Sequence, residues 1–146
     1  MTGSQLRLMA EDEADLDIIG AAVQDALLRV GEMSFDKKAR RFTAMINRFR
    51  WEAAGEKGPY ERVRAALSFD GVLGVKSRRV RQDTDEALAS LLSIGFIPEA
   101  EPPGGVIRLL LAGGGEIAID VECLDAVLVD TGPTWATPRR PDHEQG

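Results

Sequence analysis

The 146-residue chain has one cysteine, Cys123, and one histidine, His143. A single thiol excludes an intrachain disulfide. The first residues do not read as a signal peptide, and together these features lead us to expect a reducing, cytoplasmic location. One Cys and one His cannot supply the roughly four nitrogen or sulfur ligands of a structural zinc site. His143 sits in a polar tail and makes a poor general base. No segment approaches 18 apolar residues, so no membrane-crossing helix is expected. No GxGxxG run occurs, and Gly113-Gly114-Gly115 precedes Glu116 rather than Lys-Ser/Thr, so these glycines form a turn and not a phosphate loop. No cofactor is implied. Aromatic residues make up only 5% of the chain against 15 glycines, a balance that suits a turn-rich β protein better than a helical bundle.

What is present is alternation. Residues 106–130 read as an antiparallel meander: Ile117, Ile119, Val121 and Cys123 alternate with Glu116, Ala118, Asp120 and Glu122, and the three glycines form the preceding hairpin turn. Residues 5–10 read as a short strand. Asp12 offers a helix N-cap, Glu13 and Asp15 favour the first turn, and Leu16, Ile19 and Val23 form one apolar stripe. Strands are expected over 26–35 and 40–51, with a parity switch near Asn47 where Phe49 and Trp51 leave the register of Phe42, Ala44 and Ile46. Val63, Ala65, Leu67 and Phe69 mark a fourth strand. Asp70-Gly71 then signals a hairpin, or a bulge with Phe69 and Val72 both inward. A fifth strand follows to Arg81. Asp83, Thr84 and Glu86 resemble a helix start, yet 89–97 is better read as a strand ended by Pro98. A bulge or tight bend at Cys123-Leu124 precedes a last strand over 124–130. The expected fold class is α+β, a strongly twisted, partly closed antiparallel sheet of about eight strands with one N-terminal helix packed on it. Residues 1–135 form a single domain and 136–146 a flexible tail.

The net charge of −6 conceals a partition. Residues 37–81 hold 13 of the 18 basic side chains against four acids, a balance of +9, while both flanks are acidic. Arg48 and Arg50, Arg62 and Arg64, and Lys76 and Arg78 each share a strand face. If their three strands are neighbours, these six cations form one patch for an anionic protein, a nucleic acid or a nucleotide. Asp120 and Glu122, with Glu116 further along, are the best candidate catalytic carboxylates, although a solvated or charge-neutralising strand face is the plainer reading. Cys123 falls on the apolar parity, where a buried, inert thiol is expected. The preferred function is a non-enzymatic protein-interaction module that docks an unknown protein partner or a second copy of itself. Binding of phosphate-bearing ligands is the alternative, and an enzyme using Asp120 and Glu122 is a third reading.

Several phrases carry a resemblance: Leu6-Arg7-Leu8, Asn47-Arg48-Phe49-Arg50-Trp51-Glu52, Leu67-Ser68-Phe69-Asp70-Gly71-Val72-Leu73, Asp120-Val121-Glu122-Cys123, Gly132-Pro133-Thr134-Trp135 and Arg140-Pro141-Asp142-His143. Together they resemble the bacterial "domain of unknown function" family 2948, from about residue 6 to residue 143. The resemblance implies a small cytoplasmic bacterial protein and supplies no catalytic residue.

Overall fold

Val63, Ala65, Leu67 and Phe69 are buried while Arg62, Arg64, Ala66 and Ser68 are only half-buried. That alternation fixes one face of a central strand against the core. The computed structural model describes residues 5–80, 87–138 and 140–141. In chain order its elements are β1 (Arg7–Ala10), α1 (Glu13–Ala22), β2 (Leu27–Asp36), β3 (Arg41–Phe49), a 3₁₀ turn (Trp51–Ala53), β4 (Glu61–Asp70), β5 (Val72–Arg78), β6 (Leu88–Pro98), β7 (Gly105–Leu111), β8 (Glu116–Val121) and β9 (Ala126–Ala136).

The strands form one open antiparallel sheet of nine, in the order β1-β9-β4-β3-β2-β6-β7-β8-β5. The α+β expectation holds, with one more strand than foreseen, but the sheet is not partly closed as expected: its order runs from β1 to β5 without the two end strands pairing. Asp12 caps α1 as its sequence implies, accepting the Asp15 N–H at 2.8 Å. Leu16, Ile19 and Val23 join the core, and α1 packs on β1 and β6.

Two joints divide the sheet. At the first, β2 pairs with β6 only over residues 27–29, and its register on β3 then shifts between Leu28 and Met33. Among the described residues, 33–36 pair with β3 alone. At the second, β4 runs into β5 through Gly71 (φ +67°), while β8 returns to β9 through residues 122–125. The two crossings are tied together: Glu122 N–H donates to Gly71 O at 2.9 Å and Asp70 N–H to Asp125 O at 3.0 Å. The β4–β9 and β5–β8 ladders are therefore one long antiparallel pair folded at a corner.

That corner overturns several expectations. Asp70-Gly71 is not a hairpin, because β4 and β5 lie in different parts of the sheet. The alternative holds: Phe69 and Val72 are both buried, since the chain bends between them. Residues 106–130 are not a continuous meander either. β7 and β8 pair as expected, but β9 pairs with β1 and β4. Alternation does not continue through Cys123, because β8 ends at Val121; Cys123 is exposed at the corner and Leu124 takes the inward position. In β3 the apolar parity does not switch at Asn47. It runs on through Arg48, which is buried, and Phe49 is buried on the opposite face. The last strand extends past 130 to Ala136 and includes Trp135. The strand expected over 89–97 is β6. The helix start suggested by Asp83, Thr84 and Glu86 lies outside the described residues, as does His143.

Candidate functional site

The six cations singled out above do not make one patch. Neighbouring strands β3 and β4 carry Arg48, Arg62 and Arg64, and Arg50 follows β3 directly, but β5, which carries Lys76 and Arg78, lies beyond β2, β6, β7 and β8. Arg48 is not on an outward face at all. Its side chain is 0% exposed, with Nε 2.8 Å from Asp130 Oδ1, Nη2 2.8 Å from Asp130 Oδ2, and Nη1 2.9 Å from Glu52 Oε1. Burial alone would lower its pKa, but the hydrogen bonds to Asp130 and Glu52 outweigh it and leave the guanidinium more firmly charged than usual. Arg50 Nη1 lies 2.6 Å from Glu61 Oε1. Arg62 is half-buried, donates to Asn47 O at 2.9 Å, and lies 6.0 Å from the centre of the Phe49 ring. Burial pulls its pKa down, against the opposing charge of Asp25. Arg64 pairs with Glu32. These four residues hold the β3–β4 end of the molecule together.

Lys76 and Arg78 are placed differently. Both are exposed on the outward face of β5, and the Arg78 Nη2 reaches Glu116 Oε2 across the β5–β8 ladder at 3.1 Å. Glu116 also binds Arg108, and hydrogen bonding to Arg108 holds its carboxyl below the ordinary range. Glu122 binds Arg40. Glu116 and Glu122 are thus each engaged by an arginine, the charge-neutralising arrangement. Asp120 is exposed beside Gly74 and Val106 in the ladder.

The more informative feature is the edge that carries Lys76 and Arg78. β5 is the last strand of the sheet and, among the described residues, its ladder is with β8 alone. Its start is pinned, because the Val72 N–H donates to Arg40 O at 2.9 Å. Beyond that point β5 borders a groove whose other wall includes Val30, Met33 and Phe35 of β2. One recess of about 520 Å³ lies between Phe35 of β2 and residues 72–75 of β5, with Lys37 and Arg40 at its rim. A second, about 280 Å³, continues from Val75 past Met33 and Val30 to Val80, with the core residues Phe42 and Ile117 at its floor. Leu73, 52% exposed, stands at the mouth.

Of the residues lining the groove, only Lys37 and Arg40 belong to the basic side chains of residues 37–81, and neither was among the six cations singled out. The groove follows from the register shift in β2 and from the position of β5 at the end of the sheet, which are both long-range facts. The one local hint is glycine inside otherwise apolar strands, at Gly31 and Gly74, where an interrupted ladder is common.

No helix among the described residues is long and apolar enough to cross a membrane. The chain belongs to the family described as Protein of unknown function (DUF2948), which it matches over residues 6–143. No curated protein matches it.

Proposed function

We propose that this DUF2948 protein is a non-enzymatic interaction module that takes up an extended segment of a partner at the open edge of β5. One observation supports the reading: among the described residues the strand ladder of β5 is with β8, and β5 borders a groove lined by Phe35, Val72, Leu73 and Val75 with Lys37 and Arg40. An edge strand offers a row of backbone N–H and C=O groups, and an added strand satisfies them while alternate side chains fill neighbouring pockets. Affinity then comes from main-chain hydrogen bonds and specificity from the groove.

The experiment is selection of linear peptides from a random display library against the full chain. Each binder is then mapped by amide chemical shifts. Binders that perturb residues 73–78 together with 33–36 support the edge. Binders that all map elsewhere on the molecule overturn it.

A further inference from the structure

Away from β5, the β3–β4–β9 end of the sheet holds a charge that the fold leaves without a counter-ion. Phe49, Arg62 and Trp135 lie directly opposite one another on β3, β4 and β9, so their side chains share one face. Three arginines beside them each have a carboxylate: Arg48 has Asp130 and Glu52, Arg50 has Glu61, and Arg64 has Glu32. Arg62 has none within ion-pair distance among the described residues. Its Nη1 donates to Asn47 O at 2.9 Å, and its guanidinium lies 6.0 Å from the centre of the Phe49 ring. Its Nε and Nη2 donate to no described residue. That is the edge by which Arg48 holds both oxygens of Asp130, each at 2.8 Å. Two parallel N–H groups of this kind suit a carboxylate or a phosphate. Half-burying a guanidinium without such a partner costs stability. Asp25 offsets part of that cost through its charge, but it fills neither donor.

Trp135 is the other cross-strand neighbour of Arg62. Phe49, Trp51 and Tyr60 pack on one another, with ring centres 4.6 Å apart for Phe49 and Trp51 and 6.1 Å for Phe49 and Tyr60. Trp135 joins no ring pair among the described residues, and it is 42% exposed. An exposed indole face takes planar rings by stacking, with little regard to which ring. We infer that Arg62 and Trp135 form a binding site for a small molecule in which a planar ring carries an oxyanion. The free edge of Arg62 takes the carboxylate or phosphate, and Trp135 stacks on the ring. Directly opposed residues hold their Cβ atoms about 5 Å apart, so one small molecule spans both. The site is separate from the β5 groove and does not rest on it.

The test titrates the intact chain with AMP, benzoate, adenosine and inorganic phosphate, read by amide and indole N–H shifts. AMP and benzoate join a ring to an oxyanion; adenosine lacks the anion and inorganic phosphate lacks the ring. The expected result is that AMP or benzoate moves residues 47–49, 61–63 and 134–136 together with the Trp135 indole. The tighter of the two tells a phosphate ligand from a carboxylate one. Adenosine and inorganic phosphate bind about tenfold more weakly or worse, each having lost one contact. Trp135→Ala weakens the tighter probe about tenfold and leaves inorganic phosphate unchanged. Arg62→Lys keeps the charge but loses the paired donors, and weakens it about tenfold as well. Arg62→Met abolishes binding yet leaves the melting temperature unchanged or raised, because an unpaired half-buried charge has gone; removal of a purely structural arginine lowers it. If inorganic phosphate binds as tightly as AMP and benzoate and Trp135→Ala is silent, the ring plays no part and the inference is overturned. If no probe moves these residues, or if Arg62→Met unfolds the chain while Trp135→Ala leaves probe binding intact, Arg62 serves the fold alone and the inference is again overturned. None of these outcomes bears on the β5 edge.

Discussion

Arg48 is a cation with no exposed surface, held between a carboxylate on β9 and another on the 3₁₀ turn. Asp130 Oδ2 also accepts the Leu6 N–H at 2.9 Å, so a single carboxylate ties β9, β3 and the residue before β1 together. Removing one member of such a set leaves the other charge buried and uncompensated, which costs about 3–5 kcal/mol. Arg48→Ala is therefore expected to lower stability by that amount in urea denaturation. Arg48→Met with Asp130→Asn is expected to restore most of it, because an acceptor for Leu6 remains and the one carboxylate left, Glu52, is partly exposed and keeps Arg50 at 3.7 Å. If the double variant is no more stable than the single one, Arg48 acts through its packing and not through its charge. Glu52 adds a pH dependence. Hydrogen bonding to Arg48 lowers its carboxyl pKa from the ordinary 4.5, against opposing burial. The unfolded chain therefore takes up this proton first as pH falls. The stabilisation is fully present above about 4.5 and is lost as pH drops through the depressed value. Thermal melts from pH 6 downward are expected to show a shallower acid limb for Glu52→Gln than for the parent chain.

At the scale of elements, the β6–β7 hairpin depends on how closely its two strands approach. A Cβ on Gly105 would lie 2.5 Å from Ile97 O and 2.6 Å from the Phe96 ring, so the backbone or the ring must move. Gly105→Ala is expected to cost roughly 1–3 kcal/mol as overpacking in a filled site. Gly95, on the partner strand, has nothing within 4 Å of its Cβ position, and Gly95→Ala is expected to be neutral or slightly stabilising. Equal losses from both would show that the hairpin is sensitive to glycine itself and not to the Gly105 contact. Elements of this kind were largely legible in the sequence. Alternation at 63–69 and 116–121 marked β4 and β8, and Asp12 marked the start of α1, because each signal is local and each element buries one face. Alternation misleads where an element ends. Cys123 keeps the period of β8 but lies past its last residue, so it is exposed. Arg48 keeps the period of Phe42, Ala44 and Ile46, and that signal was present. It was outweighed by Phe49 and Trp51, which pack against each other with ring centres 4.6 Å apart.

At the scale of the molecule, pairing order is what the sequence could not carry. The parity of a strand says which face is buried, never which neighbour completes the ladder. The corner at Gly71 and Glu122 therefore separates strands that are adjacent in the chain, and the register shift in β2 leaves a stretch paired on one side only. The candidate groove exists only because of these two long-range features. They also order local stability. β4 is flanked on both sides, by β3 over residues 62–70 and by β9 over nearly its whole length. Among the described residues, β5 has a strand ladder with β8 alone, and β2 over residues 33–36 with β3 alone. Backbone opening is easiest where buried contacts are few and hydrogen bonds reach solvent. Native-state hydrogen exchange is expected to find the slowest amides in β3, β4 and β9, near the global unfolding limit, and the fast ones in residues 73–78 and 33–36. Binding of an extended segment should change that order in a specific way: protection rises on β5 and on residues 33–36 together, because the added strand lies between two edges that do not pair with each other. Protection on β5 alone would mean that the segment lies along one edge without spanning the groove. Uniform slow exchange across β5 in the unbound chain would mean that this edge is already covered, and the groove would then have no vacant strand position to offer.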